Sequence, residues 1–333
     1  MNANLVEQPM HDPPRAAALS RLFTATMILV AAGGLSAAEP IELPIWPGVA
    51  PGSEGIAEQE VVVDRGKGKG YVDRSISSVH RPTISIHLPA DRMAKNRAAL
   101  VICPGGGFTR VVIDKEGHDF AKYLATHGVV GVVLKYRTVR SPQHHYGVAA
   151  LEADVKRAIR LTRHQARKWN IDPAQVGVFG FSAGGHVAST AATHFDAGNP
   201  KAKDPVERLS CRPDFLGLGY PLLSMQAEVV GTRYPQLLLG PKPSQTRVRA
   251  YSNELQVTPD TPQSFICHAE NDTGVKVENT RRFAAACRKA GVACTTYIRP
   301  DGGHGFGIRD QGHSINGWHH AFAAWLKNWR DAR

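Results

Sequence analysis

Hydrophobic and polar residues follow two different patterns on either side of Ala98. Before it, the segment from Thr83 to Leu88 alternates apolar and polar side chains, and Val61 to Asp64 is a short β-branched run. Both patterns predict strands, the first of them half-buried. After Ala98, apolar runs alternate with loops and helical segments, which is typical of a parallel sheet covered by helices on both faces. The sequence therefore predicts an α/β fold with a mostly parallel central sheet.

The part of the chain after Ala98 supplies most of the predicted strands and helices. Leu151, Val155 and Ile159 recur at helical spacing, with Lys and Arg elsewhere around the turn, and so predict a long amphipathic helix. The predicted strands are Ala99 to Cys103, Val129 to Tyr136, Val176 to Phe179, Phe215 to Tyr220, Ser264 to His268 and Cys294 to Ile298. The predicted helices are Val148 to Trp169, Gly185 to His194, Thr280 to Ala290 and Trp318 to Trp329.

Two proline-containing segments lack such periodicity. Ile41 to Ser53 is rich in Pro and Gly, and we expect an extended arm there rather than a regular element. Leu222 to Pro262 predicts short helices, lying over whatever functional site the fold carries, rather than a separate domain. We therefore expect one domain over residues 39–333, without a large cap domain.

The N-terminal residues have the features of a secretory signal peptide. Arg15 and Arg21 precede an apolar run from Leu22 to Leu35, and Ser36-Ala37-Ala38 supplies small residues at the cleavage positions. We predict a signal peptide over residues 1–38 and export to the periplasm or the extracellular space, with no stable membrane insertion after cleavage. A buried helix or an uncleaved anchor remains the alternative, although the run is short for a membrane span.

The distribution of charge limits the partners that the protein is expected to bind. The chain has 40 Lys and Arg against 29 Asp and Glu, a net charge of +11, but these residues are scattered and form no dense basic run. This distribution favours a solvated basic surface, and we expect no nucleic-acid partner.

The five cysteines show no metal-like spacing; a bridge between Cys287 and Cys294 is conceivable, and buried thiols are expected elsewhere.

The strongest chemical signal is the Gly-x-Ser-x-Gly motif from Gly180 to Gly184, centred on Ser182. It lies between a predicted strand and a predicted helix. At such a corner a nucleophile is held in a strained turn, and only glycine fits on either side of it. The alternative is a glycine-rich turn in which the serine has no catalytic role. We predict that Ser182 is a nucleophile.

A serine hydroxyl needs a base within hydrogen-bond reach and a carboxylate to orient that base. In hydrolases with this motif the order along the chain is Ser, acid, His. His304, which is flanked by glycines after the last predicted strand, is the expected base, with His313 as its rival. Asp272 is the expected acid, with Glu270 and Asp301 left as alternatives.

The loop Gly105-Gly106-Gly107 follows another predicted strand and could bring backbone N–H groups close to a developing oxyanion. We assign the expected donors to Gly106 or Gly107 together with Ala183, the residue after the nucleophile. A plain flexible turn is the alternative. The sequence lacks zinc, P-loop and dinucleotide-binding patterns, and we therefore expect no metal and no cofactor.

These motifs together resemble those of bacterial exported α/β-hydrolases related to xylan acetylesterases and to the bifunctional feruloyl and acetyl esterases, which are close to the hormone-sensitive-lipase-like esterases. Two positions depart from that pattern. Pro104 stands where lipase-like relatives often have His, and Asn271-Asp272 replaces the usual doubled Asp. The matching stretches are Pro44 to Gly48, Ala50 to Gly52, Cys103 to Phe108, Gly180 to Gly185, Asp272 to Asn279 and Gly302 to Phe306.

The resemblance implies an α/β-hydrolase fold and a serine carboxylesterase that removes acetyl or other short acyl groups from carbohydrate esters through an acyl-enzyme. Its expected partner is a small-molecule, oligosaccharide or polysaccharide ester. Two alternatives stay open: a serine peptidase of the prolyl-oligopeptidase kind, and a non-catalytic carbohydrate-binding protein built on a hydrolase scaffold.

Overall fold

The computed structural model describes residues 40–333 apart from 69, 92, 96 and 140–144, so the predicted signal peptide lies outside the described residues. The strands are β1 (Ile41–Pro44), β2 (Val61–Asp64), β3 (Arg74–Ser77), β4 (Thr83–His87), β5 (Arg97–Cys103), β6 (Val130–Lys135), β7 (Ile171–Phe181), β8 (Leu216–Gly219), β9 (Ser264–Ala269) and β10 (Cys294–Arg299).

Eight of these strands, in the described part of the chain, form a central sheet in the order β1-β4-β6-β5-β7-β8-β9-β10. Strands β5 to β10 pair in parallel with their neighbours, while β4 joins β6 and β1 in antiparallel fashion. Strands β2 and β3 form a separate antiparallel ribbon. The prediction of a mostly parallel central sheet is confirmed.

The helices follow the strand–helix alternation that the sequence predicts. They are α1 (Asp119–Thr126), α2 (Val148–His164), α3 (Ala166–Trp169), α4 (Ser182–Thr193), α5 (Ala227–Val230), α6 (Arg233–Leu239), α7 (Gln245–Ala250), α8 (Glu278–Lys289) and α9 (Trp318–Asp331). One π-helical turn covers Asp114–His118, and short 3-10 turns cover Pro205–Arg208 and Asn253–Leu255. Among these helices of the described residues, none combines the length and apolar character needed to cross a membrane.

Helices cover the sheet on both faces. Phe179 of β7 packs its ring against Phe120 of α1 and Phe322 of α9. The next residue, Gly180, faces α4, because a Cβ there would lie 2.7 Å from the Cβ of Ala188. Since successive strand residues point to opposite faces, α1 and α9 lie on one side and α4 on the other.

Several predicted boundaries were wrong, each for a local reason. Ile41–Pro44 is a strand and not an irregular arm, because it pairs with the exposed edge of β4, where a terminal proline is tolerated. Strand β3 was missed, since Ile76 is its single apolar residue. The predicted helix Val148 to Trp169 is interrupted at Gln165.

The connection between β7 and α4 differs from the prediction in a way that matters for the site. Strand β7 begins at Ile171, five residues earlier than expected, and α4 begins at Ser182 itself rather than at Gly185. The last strand residue, Phe181, is therefore followed directly by the first helical residue. The candidate nucleophile occupies the corner between the two elements.

Candidate active site

Ser182 has a left-handed backbone conformation, with φ of +51°, which is unfavourable for any residue other than glycine. Its neighbours explain why the motif carries glycines. A Cβ on Gly180 would lie 2.1 Å from the carbonyl oxygen of Gly184, and a Cβ on Gly184 would lie 2.1 Å from the carbonyl oxygen of Cys103. The turn is so tight that it excludes larger residues at both of these flanking positions.

The three residues predicted as nucleophile, base and acid come together in one hydrogen-bonded chain. Ser182 Oγ lies 2.8 Å from His304 Nε2, and His304 Nδ1 lies 2.7 Å from Asp272 Oδ2. An ionised carboxylate can only accept, so Nδ1 is the donor to Asp272. In the neutral imidazole, Nε2 is then left to accept the hydroxyl proton of Ser182.

The Asp272 carboxylate is buried but well supplied with donors. Its Oδ1 accepts hydrogen bonds of 2.8 Å from the N–H groups of both Gly274 and Val275. Burial raises the pKa of Asp272, but hydrogen bonds from His268 and His304 together with the backbone donors outweigh it and lower the pKa to about 2. The residue is therefore ionised at neutral pH and can stabilise a positively charged His304.

His268 is a member of this site that the sequence did not reveal. It is fully buried, and its Nε2 lies 2.9 Å from the carbonyl oxygen of Val275 and 3.2 Å from Asp272 Oδ2. Both of these are acceptors, so Nε2 carries the proton, and Nδ1 accepts from Thr280 Oγ1 at 2.7 Å. The available sequence signal is a histidine at the end of a predicted strand, four residues before Asp272.

The rival candidates for base and acid bond elsewhere. His313 Nδ1 lies 3.1 Å from Asp301 Oδ2 in an exposed pair, and Glu270 pairs with Arg281 at 2.6 Å on the surface. In the described part of the chain, none of these rivals makes a hydrogen bond with Ser182 or His304. The geometry favours His304 and Asp272 over them.

The glycine loop lies directly against the nucleophile. Gly106 and Gly107 have φ of +134° and +62°, and a Cβ on Gly105 would come within 2.9 Å of Ser182 Cβ. Among the hydrogen bonds of the described residues, the N–H groups of Gly106, Gly107 and Ala183 donate to no protein acceptor. They are free to bind an oxygen atom of a ligand, as the first N–H groups of a helix and of a turn often are.

The segment Leu222 to Pro262 forms short helices, as predicted, and adds side chains near the glycine loop. The N–H of Leu222 donates to the carbonyl oxygen of Ser182 at 3.0 Å. Tyr234 of α6 packs edge-on against Phe108, with ring centroids 6.1 Å apart. The segment that follows β8 thus contacts the nucleophile residue through Leu222, and its helix α6 contacts the residue after the loop.

The five cysteines, all among the described residues, are free thiols, and four of them are buried. The conceivable bridge between Cys287 and Cys294 is not formed here. Within the described ranges, no group of three or more His, Cys, Asp or Glu side chains is placed to hold a metal ion. The expectation that the protein needs no metal or cofactor stays a prediction.

Comparison with known proteins identifies several relatives. The endo-1,4-beta-xylanase B of Butyrivibrio fibrisolvens is 34% identical over 229 residues, 67% of this chain and 34% of that protein. The acetylxylan esterase of Xylanibacter ruminicola is 32% identical over 223 residues, 63% of this chain and 41% of that protein. The chain thus matches between about a third and two fifths of the length of these curated relatives.

Solved structures resemble the chain over most of its length. The acetyl ester-xyloside bifunctional hydrolase of Caldicellulosiruptor lactoaceticus has a TM-score of 0.71 and 33% identity, covering 89% of this chain and 98% of its own. A thermophilic esterase of Thermogutta terrifontis with bound butyrate has a TM-score of 0.58 and 26% identity, covering 75% of this chain and 88% of its own. The α/β-hydrolase fold implied by the sequence is confirmed.

A family model described as BD-FAE matches residues 84–287, which extend from β4 into the last turn of α8 without reaching His304. The resemblance to the feruloyl and acetyl esterases is confirmed by this match. The chain therefore belongs to the BD-FAE family and has the α/β-hydrolase fold.

Proposed function

We propose that the protein is a serine esterase that hydrolyses acetyl or other short acyl esters of carbohydrates. The observation that carries the proposal is the continuous hydrogen-bonded chain from Ser182 Oγ through His304 to Asp272. It lies beside backbone N–H groups without a protein acceptor, which is what acyl transfer requires.

In the proposed reaction, Ser182 Oγ attacks the ester carbonyl carbon while its proton passes to His304 Nε2. The ionised Asp272 stabilises the resulting imidazolium, and the N–H groups of Ala183 and of Gly106 or Gly107 bind the oxyanion. His304 then gives the proton to the leaving alcohol, and an acyl-enzyme remains. A water molecule, deprotonated by His304, then attacks the acyl carbon; the bond to Ser182 Oγ breaks, His304 returns the proton to Oγ, and the carboxylic acid leaves.

The carbohydrate part of the proposal rests on the printed functions of the relatives. One is an acetylxylan esterase, another is a xylanase, and a structural relative is an acetyl ester-xyloside hydrolase. Export through the N-terminal signal over residues 1–38 would bring the enzyme to such polymers in the periplasm or outside the cell. N-terminal sequencing of the mature protein should begin at Glu39; a retained N-terminus would argue against cleavage.

The peptidase alternative receives less support from the described residues. Enzymes of the prolyl-oligopeptidase kind usually carry a large gating domain, whereas the segment 222–262 consists here of the short helices α5, α6 and α7. The non-catalytic alternative is disfavoured because Ser182 keeps its strained conformation and its base. A decayed site would have no need to retain either of them.

A substrate panel tests the proposal. p-Nitrophenyl acetate, butyrate and octanoate, acetylated xylo-oligosaccharides, methyl ferulate and a proline-containing peptide anilide would be compared at equal concentration. We expect the acetyl esters to give the highest kcat/KM, with Ser182→Ala as the inactive control. Hydrolysis of the peptide anilide above that of the acetyl esters would contradict the esterase function.

A further inference from the structure

A buried carboxylate, Glu116, lies beneath the glycine loop. It sits in the π-helical turn Asp114–His118 and is 4% exposed. Among the ion pairs of the described residues, none joins Glu116 to a Lys or Arg side chain. A buried carboxylate without a cation costs free energy, so the residues around it have to stabilise it through hydrogen bonds.

Both carboxylate oxygens of Glu116 are engaged, and each contacts a different part of the site. Oε2 accepts a hydrogen bond of 2.7 Å from the N–H of Gly105, and Oε1 accepts one of 2.9 Å from the hydroxyl of Tyr220. Gly105 immediately precedes the predicted oxyanion donors. One side chain therefore holds the loop that carries them.

Tyr220 extends this contact to the loop that carries His304. Its hydroxyl accepts a hydrogen bond of 3.1 Å from the N–H of Gly307, and its ring lies edge-on to the His304 ring, with centroids 5.0 Å apart. Burial, together with the neighbouring Glu116, raises the pKa of Tyr220 well above its usual range, so the phenol stays protonated and donates to the carboxylate.

The packing around Glu116 leaves little room for adjustment. A Cβ on Gly105 would lie 2.7 Å from Glu116 Oε2 and 2.9 Å from both the Phe181 carbonyl oxygen and Ser182 Cβ. The Glu116 carboxylate thus contacts the loop backbone, which in turn lies against Ser182. A shift of the carboxylate changes the position of the loop relative to Ser182.

We propose that Glu116 is a positioning residue that fixes the oxyanion loop through Gly105 and couples it, through Tyr220, to the loop of His304. The proposal rests on the esterase function proposed above and goes beyond it by assigning a role to two buried residues outside the predicted Ser–His–Asp set. π-Helical turns often occur at functional sites, which fits the location of Glu116.

Glu116→Gln tests the contact with the loop. Gly105 and Tyr220 donate to different carboxylate oxygens, and the amide replaces one of these oxygens with an NH₂ group, so one of the two donors loses its acceptor. An oxyanion donor is worth about 10² to 10³ in rate, and a misplaced donor loses part of that. We expect kcat for p-nitrophenyl acetate to fall about 10- to 100-fold, with KM within about twofold of wild type.

Tyr220→Phe tests the coupling between the glycine loop and the loop of His304. It keeps the Glu116 carboxylate and its bond to Gly105, so it remains informative if Glu116→Gln fails to fold. We expect a fall in kcat of roughly tenfold, and the double variant should be no slower than Glu116→Gln, because both act through one network. The matched control is Asp114→Asn, a buried carboxylate of the same turn that pairs with Arg74 rather than with the loop. Its kcat should stay within about twofold of wild type.

Inhibition by methyl trifluoromethyl ketone, an analogue of an acetyl ester, is a measurement that a merely structural role of Glu116 would not change. The ketone forms a tetrahedral adduct with the serine, and its oxyanion needs the loop donors. Its inhibition constant should rise in Glu116→Gln by the same factor as kcat falls, in the protein fraction that calorimetry shows to be folded. If the wild type is active and both variants are folded, unchanged kcat and an unchanged inhibition constant in the variants would overturn the positioning role. An inactive wild type would instead overturn the esterase function.

Discussion

At the scale of single residues, the site depends on a carboxylate that stays charged inside the protein. Asp272 is buried, yet the donors of His268, His304, Gly274 and Val275 surround it. These donors lower its pKa to about 2, from an ordinary value of 3.8, although burial acts in the opposite direction. Such a group is able to orient a histidine over a wide range of pH.

This pKa predicts how stability changes in acid. A carboxyl whose pKa is depressed in the folded state contributes stability above its unfolded pKa, and that contribution is lost as the pH falls through the folded value. The free energy of unfolding should therefore decrease between about pH 4 and pH 2 more steeply in the wild type than in Asp272→Asn. Urea titrations at several pH values measure this; parallel curves for the two proteins would contradict it.

The sequence revealed the residues whose chemistry has a linear signature. Ser182 lies in a motif, and His304 and Asp272 follow it in a fixed order after predicted strands. His268 and Glu116 have no such signature, because their roles come from hydrogen bonds with residues distant in the fold, such as Thr280 and Tyr220. For His268 the available clue is a polar residue at the end of an apolar run, whereas Glu116, nine residues after Gly107, offers no comparable clue.

At the scale of secondary structure, the site is formed where three elements meet. The first turn of α4 packs on the end of β5, because Gly184 brings its Cα close to the carbonyl oxygens of Cys103 and Pro104. Strand β7 delivers Ser182 to the same edge of the sheet. The sequence predicted this corner but placed the start of α4 three residues late, since a serine with positive φ is not expected to begin a helix.

Gly184→Ala should disturb this junction. The new Cβ would lie 2.1 Å from the Cys103 carbonyl oxygen, so α4 would have to move away from β5. We expect a loss of stability of about 1–3 kcal/mol or more, as for overpacked cores, together with lower esterase activity. Thermal unfolding and kcat/KM measure both effects.

Gly48→Ala is the matched control for that substitution. A Cβ at this position meets no atom within 4 Å, and the residue is exposed. Its stability should stay within about 0.5 kcal/mol of wild type, as surface substitutions usually do. If both alanine variants behaved alike, close packing at Gly184 would not be the reason for its glycine.

At the scale of the whole molecule, a buried ion pair joins the N-terminal segment to the sheet. Arg137, which follows β6, bonds Asp154 of α2 at 2.8 Å and also donates to the carbonyl oxygen of Pro51. Trp46 Nε1 donates to the same Asp154 at 3.0 Å. The segment before β2 is thus held onto the body by side chains whose importance periodicity does not show.

Arg137→Met should destabilise the protein strongly, because it leaves the Asp154 carboxylate buried without its cation. Removing one partner of a buried pair costs about 3–5 kcal/mol, whereas replacing both partners with apolar residues is often near neutral. Arg137→Met/Asp154→Leu should therefore recover part of the loss. Urea unfolding of the two variants measures the difference; equal loss in both would show that the pair is not the cause.

Covalent labelling decides whether Ser182, activated by His304, is the nucleophile of the proposed esterase. The purified protein would be treated with a fluorophosphonate and examined by intact-mass and peptide mass spectrometry alongside Ser182→Ala. We predict a single adduct on Ser182 that forms as activity toward p-nitrophenyl acetate disappears, and no adduct in the variant. An adduct on another residue, or full activity in folded Ser182→Ala, would show that Ser182 is not the nucleophile.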